Sequence, residues 1–497
     1  MPYALLLTIL VLFLELGLWL PSQSNRRTWA ALTLSLLMPA SIWFVGSYPN
    51  GFALLFAVVA AYRSVNLARY IQMRRQPDHL YSVAKRTSSW LLAMQLLTLW
   101  LSVTASASSL HYGFVLLVMI SVVGSIVLAA ATQRNLHKTR PLRPATVADT
   151  VTPTISVLIP ARNETEDLTA CLQSLVQSNY EKLEIIVLDD CSQNKRTPEI
   201  IKGFAHAGVR FIAGGPVPDN WLAKNYAYDQ LAQAASGDLL LFCGADTRFK
   251  PETLGVMVDE LLQKQKTMIS FVPANKAPRL FEYASLLVQP SRYAWELALP
   301  RRALDRPPVL STAWLIRRET LEATGGFMAV PRAATPERMF ARYAATHDDG
   351  YSFLQSDTEH GVASYKSFED QRATAIRTRY PQLHQSLELT ALVTVLELVL
   401  IVIPFVLYFT TLLSDNMKLF AIVDGACILL TIMYAQITAL TYRRFILRSL
   451  WLLPIAALYD IILLNYSMYK YEFSSVDWKG RNVCIPVMQV INQLPKA

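Results

Sequence analysis

Long apolar runs at both ends of the chain constrain its fold most strongly. Each run has roughly the 17–25 residues that a helix needs to cross a bilayer. Hydrophobic residues make up 53% of the 497 residues and charged residues only 17%, a composition typical of a membrane protein. The runs lie at 3–20, 29–47, 51–68, 89–108 and 113–132, and then at 389–412, 418–439 and 448–466. They predict an integral, multi-pass membrane protein.

These runs divide the chain into five parts. We predict about five transmembrane helices in 1–132, a linker in 133–152 and a cytoplasmic domain in 153–388. About three transmembrane or interfacial helices follow in 389–468, and a tail occupies 469–497.

Basic residues set the expected orientation. Arg26 and Arg27 follow the first run, whereas the connections at 47–51 and 109–113 contain no Lys or Arg. Because basic connections stay in the cytoplasm, we expect the N-terminus outside and the domain 153–388 inside. The basic residues that give the chain its net charge of +9 are then expected to face anionic lipid headgroups. No nucleic acid is expected as a partner.

Two other classes of site or protein are disfavoured. The five cysteines show no C-x-x-C spacing, which argues against a zinc site or a disulfide framework. The eight apolar runs would suit a transporter, but they show no internal repeat and are interrupted by a large polar insert.

The centre of the chain alternates short apolar runs with helix-like segments. Strands are predicted at 155–159, 184–188, 209–213, from 239 towards Asp246, and near 268–272, and helices at 166–176, 224–235 and 251–264. This alternation predicts an α/β domain with a mainly parallel sheet.

Acidic side chains follow several of the predicted strands. Glu164 comes just after the first, Asp189 and Asp190 close the second, and Asp246 follows the strand that begins at 239. The carboxyl ends of parallel strands meet at one edge of a sheet. Carboxylates there can accept hydrogen bonds from a base or ribose, or ligate a divalent cation. Lys224, before a predicted helix, is a candidate phosphate contact.

Four motifs in this order resemble family 2 glycosyltransferases of the GT-A fold. They are 159–164 (Ile-Pro-Ala-Arg-Asn-Glu), 187–192 (Val-Leu-Asp-Asp-Cys-Ser), 221–225 (Trp-Leu-Ala-Lys-Asn) and 245–249 (Ala-Asp-Thr-Arg-Phe). The similarity extends to the membrane-bound branch that glycosylates lipids, including ceramide, hopanoid and carotenoid glycosyltransferases. It implies a Rossmann-like, nucleotide-sugar-binding α/β domain inserted between N-terminal and C-terminal transmembrane helices.

The resemblance also implies roles for individual residues. Asp246 matches the final Asp of the family's D-x-D motif, which holds Mg²⁺ or Mn²⁺. Glu337 takes the place of the catalytic Asp downstream of the Gly-Gly-Phe at 325–327, and would be the general base. The implied nucleotide-sugar contacts are Pro160, Arg162, Glu164, Asp189, Asp190, Lys224, Asn225, Ala245 and Asp246.

The implied activity is a metal-dependent, inverting, non-processive transfer. One sugar would pass from a nucleotide-sugar donor, a UDP-sugar in the first instance, to a hydroxyl of a lipid acceptor. The Q-x-x-R-W motif of processive synthases is absent, since Gln371 is followed by Thr374. Two further departures, Gly244 for the first Asp of D-x-D and Pro336 for the Glu before the base, motivate an alternative: a catalytically degenerate membrane scaffold with a glycosyltransferase-like domain.

Three segments are expected to face the acceptor or the membrane. The segment 280–299 mixes aromatic and basic residues and is expected to lie at the interface, with Tyr293 and Trp295 at the acceptor entrance; a core-facing helix is the alternative. Arg379 is expected at lipid headgroups.

The third segment is the tail motif 478–481, which contains Trp478 and Arg481. It resembles the Trp-(Lys/Arg)-Gly-Arg of this branch, which implies a place beside the active site. Three full spans after 388 would put the tail on the opposite side of the membrane. The run at 448–466 contains Asp460 and is therefore expected not to cross simply.

Overall fold

The computed structural model describes residues 110–139, 152–275, 284–298, 307–347, 350–356, 360–383, 385, 387–413, 417–442 and 452–483. Three of its helical segments, Leu117–Lys138, Leu389–Leu412 and Met417–Tyr442, are long and apolar enough to cross a membrane. The four apolar runs predicted before residue 110 and the end of the tail after 483 lie outside the described residues.

Two sheets are built from ten strands. The strands are β1 (Ile155–Ala161), β2 (Leu183–Asp189), β3 (Val209–Ala213), β4 (Leu239–Cys243), β5 (Thr247–Phe249), β6 (Met268–Val272), β7 (Ala274–Asn275), β8 (Ala313–Arg317), β9 (Tyr351–Gln355) and β10 (Val362–Ser364). The large sheet has the order β3-β2-β1-β4-β8-β6-β9. Its neighbouring strands are parallel except where β8 meets β4 and β6. The five strands predicted from the sequence are all present.

Helices surround this sheet and continue beyond it. They are α1 (Leu110–Lys138), α2 (Glu166–Val176), α3 (Arg196–Gly203), α4 (Ala223–Ala234), α5 (Thr253–Gln263), α6 (Ser285–Ala298), α7 (Arg318–Ala323), α8 (Glu337–Thr346), α9 (Phe368–Gln382), α10 (Leu387–Glu397), α11 (Ile403–Leu412), α12 (Met417–Tyr442) and α13 (Leu453–Phe473). A π-helical turn, Leu398–Val402, joins α10 to α11.

Apolar side chains cover both faces of the large sheet. On one face Leu158, Ile186 and Leu240 pack in the same core as Leu231 of α4. On the other face Val157 and its neighbours pack in the same core as α2 and α5. Because successive residues of a strand point to opposite faces, a continuous apolar run is what a sheet covered on both sides requires.

The small sheet brings a distant segment to the end of β4. Its order is β5-β10-β7, and β10 runs antiparallel to β5, with Ser364 opposite Thr247. The backbone N–H of Tyr365 also donates to the carbonyl of Asp246 at 3.0 Å. Residues just after β10 therefore lie beside the Asp246 loop.

Helix α6 corrects the prediction of an interfacial segment at 280–299. It contacts α1, α9, α12 and α13, and nearly all of its described side chains are buried. Tyr293 is only 3% exposed and belongs to the core. An aromatic-rich sequence suits lipid headgroups and a protein interior equally well, and here the neighbouring helices supply the apolar partner.

The run at 448–466 corresponds to α13, which is not among the three candidate spans of the described residues. Asp460 of α13 is buried against α9. Beyond α13 a short hairpin forms from β11 (Asp477–Trp478) and β12 (Arg481–Asn482). Lys479 and Gly480 make its turn with φ of +47° and +78°, a left-handed pair typical of two-residue hairpin turns.

Five buried aromatic rings join the elements that surround the end of β4. Phe242 of β4 stacks on Trp314 of β8 at a centroid distance of 4.2 Å, and Trp314 stacks on Phe340 of α8 at 5.6 Å. Phe327 contacts Phe242 and Phe340, both at 5.3 Å. Tyr228 of α4 contacts Phe242 edge-on at 5.0 Å. We call these five residues the aromatic cluster.

The aromatic cluster predicts unequal effects for two adjacent residues. Phe327 is fully buried, whereas Met328 is 68% exposed. Phe327→Ala is expected to destabilise the domain by about 3–5 kcal/mol because it leaves a cavity, and Met328→Ala by less than about 0.5 kcal/mol. Thermal unfolding of the detergent-purified chain, followed by intrinsic fluorescence, measures both. Equal shifts in Tm would contradict a structural role for the cluster.

Candidate active site

The ends of β1, β2 and β4 lie side by side at one edge of the large sheet, as expected. The predicted acidic residues lie at or just after these strand ends: Glu164 after β1, Asp189 as the last residue of β2 with Asp190 next to it, and Asp246 after β4. Lys224 lies in the first turn of α4, and Glu337 is the first residue of α8.

Asp246 is held by the segment that follows β10. Its Oδ2 accepts a hydrogen bond from Ser364 Oγ at 3.0 Å and lies 3.7 Å from Lys366 Nζ. Burial favours the neutral acid, but Lys366, the Ser364 hydroxyl and Lys224 together lower the pKa of Asp246. Asp246 is therefore a carboxylate at neutral pH, already paired with a cation of the protein.

Gly244 leaves the space that the Asp246 carboxylate occupies. A Cβ atom added to Gly244 would lie 2.5 Å from Asp246 Oδ1. The Asp246 carboxylate thus occupies space that the side chain of an Asp at position 244, the first Asp of the D-x-D motif, would need.

Lys224 and Glu337 form an electrostatic pair within the protein. Burial lowers the pKa of Lys224 to about 8; Glu337 opposes this shift, while Arg377 and Lys366 add to it. Burial raises the pKa of Glu337, and Lys224 and Arg292 oppose the rise. Glu337 is only 2% exposed, and its Oε2 makes no hydrogen bond to the described residues. The site therefore contains a buried carboxyl group with one uncommitted oxygen.

Asn225 has a different position from the one the sequence predicts. Its side-chain amide donates to the carbonyls of Val330, Pro331 and Ala333 at 2.8–3.1 Å. These residues belong to the segment that leads into α8. Asn225 thus fastens that segment to the start of α4, and so sets the position of Glu337 relative to Lys224 instead of pointing towards a ligand.

Arg162 is likewise committed to the protein. It is 5% exposed, and its Nη1 donates to the carbonyls of Asp190 and Cys191, both at 2.7 Å. The side chain of Ala245 is also buried, at 4% exposure. Pro160 is half-buried near the end of β1. Arg162 and Ala245 shape the loops, and their side chains do not face an open site.

The C-terminal hairpin docks on these same loops. Arg481 Nη1 donates to both carboxylate oxygens of Asp190 at 2.7 Å. Lys479 forms an ion pair with Glu164 and donates to the carbonyl of Arg162 at 3.0 Å. The tail therefore lies beside the strand ends, and Arg481 faces the domain instead of the membrane.

Three further residues expected at the membrane have protein partners. Arg379 forms an ion pair with Asp460, and their side chains are 11% and 2% exposed. Trp478 lies under the Arg377 guanidinium, 5.3 Å from its ring centroid. Trp295 packs against the apolar core that contains Tyr293. These contacts correct the expectation of headgroup or interface positions, because α9, α13 and the hairpin pack on one another.

The sequence analysis missed Ser364 and Lys366 and assigned no role to Arg292. None of them belongs to a motif that marks a site in the sequence. Ser364 and Lys366 reach Asp246 only through the pairing of β10 with β5, and Ser364 is 118 residues away from Asp246 along the chain.

Asp246 acts electrostatically on Glu164, which is itself paired with Lys479. Within the ranges that the structure describes, no group of three or more His, Cys, Asp and Glu side chains could hold a metal ion. The ammonium of Lys366 lies 3.7 Å from Asp246 Oδ2.

Part of the domain matches a known protein family. Residues 156–325 match the family described as Glycosyl transferase family 2. This match confirms the resemblance, and with the mixed sheet between apolar helices it confirms the predicted GT-A-type α/β domain.

Two curated relatives are similar over part of the chain. A 4,4'-diaponeurosporenoate glycosyltransferase of Staphylococcus haemolyticus is 33% identical over 138 residues, which are 27% of this chain and 36% of the relative. An uncharacterized glycosyltransferase of Haemophilus influenzae is 23% identical over 181 residues, 36% of this chain and 58% of that protein. The chain thus matches less than two thirds of the length of either relative.

A solved mannosyltransferase of Pyrobaculum calidifontis, in complex with GDP-Man and Mn²⁺, superimposes with a TM-score of 0.40 and 16% identity. The superposition covers 69% of this chain and 96% of that one.

Docking of the hairpin predicts how the tail responds to a charge deletion. Arg481→Ala leaves the buried Asp190 carboxylate without this partner, at a cost of roughly 1–3 kcal/mol. Amide exchange at Val483, which donates to the Val476 carbonyl at 2.8 Å, is expected to accelerate by about ten- to a hundredfold. Hydrogen-exchange mass spectrometry measures it. Arg210→Ala is the control, because Arg210 is 50% exposed in its pair with Glu184; unchanged exchange in Arg481→Ala would contradict the docking.

Proposed function

We propose that this family 2 glycosyl transferase domain transfers one sugar from a nucleotide-sugar donor to a hydroxyl of a membrane lipid. The observation that carries the proposal is the buried carboxyl group of Glu337, electrostatically coupled to Lys224 beside the carboxyl ends of the strands. A base and a cation in one half-buried site are what displacement of a diphosphate leaving group by an alcohol requires.

The proposed step is an inverting displacement at the anomeric carbon. The acceptor oxygen forms a bond to this carbon while the bond from the carbon to the diphosphate oxygen breaks. The hydroxyl proton passes to a carboxylate oxygen of Glu337. The nucleoside diphosphate leaves with the bonding electron pair, and Lys224 offsets the charge that develops on it.

Glu337 has the properties of a general base. Burial raises its pKa, so its ionised form is more basic than an exposed carboxylate. Its Oε2 is uncommitted among the described residues, and the position of α8 is fixed through Asn225 and the aromatic cluster. A positioned base of this kind contributes about 10²–10⁴-fold to the rate.

The donor is proposed to lie along the loops after β1, β2 and β4. Asp189 is half-exposed, and its Oδ1 accepts from the Ser192 backbone at 3.3 Å, which leaves carboxylate lone pairs for a base or ribose. Glu164 and Asp190 act with their partners Lys479 and Arg481, so the hairpin forms one wall of the donor site. A UDP-sugar is the first donor to test.

A lipid acceptor is proposed because apolar helices flank the domain. The segment Leu117–Lys138 precedes it, and Leu389–Leu412 and Met417–Tyr442 follow it. One relative is named as a 4,4'-diaponeurosporenoate glycosyltransferase. The basic connections favour a cytoplasmic catalytic domain between two sets of membrane helices, with the boundaries given in the sequence analysis.

The surroundings of Asp246 do not fit the Mg²⁺ or Mn²⁺ that the family resemblance implies. Asp246 is a single carboxylate whose Oδ2 is engaged by Ser364 and Lys366. A divalent cation at Asp246 would have to share this carboxylate with the Lys366 ammonium, 3.7 Å away, and would add positive charge beside Lys224, which also acts on Asp246. No step of the proposed reaction is assigned to a metal.

The activity is tested with membrane fractions and a panel of labelled UDP- and GDP-sugars. A labelled lipid, identified by mass spectrometry, is expected from the wild type. Glu337→Gln is expected to lower its formation by about 10²–10⁴-fold and to leave nucleotide binding intact. Glu322→Gln, an exposed acid of α7, is the matched control. No labelled lipid with any donor, together with no effect of Glu337→Gln on donor hydrolysis, would favour the membrane-scaffold alternative.

The same two groups predict a bell-shaped pH dependence of kcat/KM. On the acid side activity falls as Glu337 is protonated, and because its pKa is raised, this loss occurs above the pH at which an ordinary Glu titrates. On the alkaline side activity falls as Lys224, with a pKa of about 8, loses its charge. Lys224→Arg keeps the cation and is expected to move only the alkaline limb to higher pH. An alkaline limb that does not move would contradict the role of Lys224.

A further inference from the structure

We infer that Lys366 is a built-in cation that takes the place of the divalent metal at Asp246, so that the donor diphosphate binds without a metal ion. This inference rests on the proposed function, since it concerns the same donor. It assigns to Lys366 a direct contact with the diphosphate and to Asp246 the role of positioning Lys366.

Lys366 is fixed in place through its neighbours in the chain. Ser364 donates to the Asp246 carboxylate at 3.0 Å, and the backbone N–H of Tyr365 donates to the Asp246 carbonyl at 3.0 Å. On the other side Gln371, which is 3% exposed, donates to the Lys366 carbonyl at 3.2 Å. The side chain of Lys366 is 20% exposed. It is thus a held, half-buried ammonium at the end of β4, unlike a freely solvated surface lysine.

The absence of a side chain at Gly244 lets the Asp246 carboxylate take the position in which it pairs with Lys366. With no side chain at Gly244, Asp246 Oδ1 occupies the space where a Cβ would be, 2.5 Å from its ideal position. An Asp at 244 would displace the carboxylate from this position. Gly244 leaves the D-x-D motif with one carboxylate, and a lysine beside that carboxylate supplies positive charge.

The charges of the site favour an anion over a second cation. Lys224 interacts electrostatically with Lys366 and Arg377, and both Lys224 and Arg377 interact with the carboxylates of Asp246 and Glu337. Glu164, which also interacts with Asp246, is paired with Lys479. Arg292, buried at 8% exposure, acts on Glu337 as well. A diphosphate brings negative charge into this excess of cations, whereas a divalent metal adds to the excess. Lysine is a common point-charge partner for phosphate oxygens.

The first test measures nucleotide binding by the purified full-length chain in detergent. UDP is the probe, with GDP run in parallel, each in excess EDTA and in MnCl₂. We expect the same Kd within about threefold in both conditions, because no metal contact is lost. Binding that disappears in EDTA and returns with Mn²⁺ would overturn the inference and leave the proposed donor class intact. Failure of both nucleotides to bind in either condition would contradict the donor class itself, and this inference with it.

The second test uses variants of Lys366. Lys366→Met is expected to weaken UDP binding in EDTA by about tenfold or more, because a charged contact to the diphosphate is lost. Lys366→Arg should retain most of the affinity. Lys250→Met is the matched control, because Lys250 is an exposed lysine just after β5. An unchanged Kd in Lys366→Met would overturn the inference.

The double variant Gly244→Asp/Lys366→Met restores the second carboxylate and removes the lysine. If Lys366 replaces the metal, UDP binding by this variant should require Mn²⁺, with about a tenfold or greater loss in EDTA. Binding that stays independent of Mn²⁺ in the double variant, and as tight as in the wild type, would contradict the exchange of roles.

Discussion

The proposed site depends most on Trp314, which stacks on Phe242 on one side and on Phe340 on the other. Phe242 lies one residue before the end of β4, and Asp246 follows three residues after that end. Phe340 lies one helical turn after Glu337 on α8, and Tyr228 one turn after Lys224 on α4. Because the rings are buried and in direct contact, their packing fixes the positions of Asp246, Glu337 and Lys224 relative to one another. Rotamers locked by packing are what hold such groups in a productive arrangement.

Burial next to the aromatic cluster also changes the pKa values of these charged groups. Burial lowers the pKa of Lys224 and raises that of Glu337, so it favours the neutral form of each group. The charge of each group opposes the pKa shift of the other. Asp246 moves the other way, because Lys366, Ser364 and Lys224 outweigh its burial. One site thus contains a carboxylate whose pKa is lowered by its cationic neighbours and a carboxyl group whose pKa is raised by burial. Neighbouring acids with pKa values pushed apart mark a division of roles in many active sites.

Much of this arrangement was predictable, for reasons that particular residues make clear. The run 239–243 is a strand, and Asp246 follows it, because a sheet covered on both faces needs continuous apolar strands and keeps its polar ends at one edge. Lys366 was not predictable, since its place depends on the pairing of β10 with β5. The sequence left the burial of α6 as an alternative to an interfacial position, because aromatic and basic residues have the same periodicity against lipid and against other helices. The pairing of Arg481 with Asp190 joins residues 291 positions apart, beyond the reach of any local pattern.

The position of the tail follows from charges that are buried among the C-terminal helices. Arg379 of α9 pairs with Asp460 of α13, and Ser467 and Tyr471 of α13 donate to the carbonyls of Ile376 and Arg377. These bonds lay α13 along α9, so its last residue, Phe473, lies where the hairpin can reach the loops after β1 and β2. An acid in an apolar helix is costly unless it is paired, and Asp460 is paired with a residue of the catalytic domain's own last helix. Helix α13 is therefore better explained as a helix docked on that domain than as a third span. Among the described residues that follow the domain, two segments remain as candidate spans, Leu389–Leu412 and Met417–Tyr442. An even number of crossings returns the tail to the side of the strand ends.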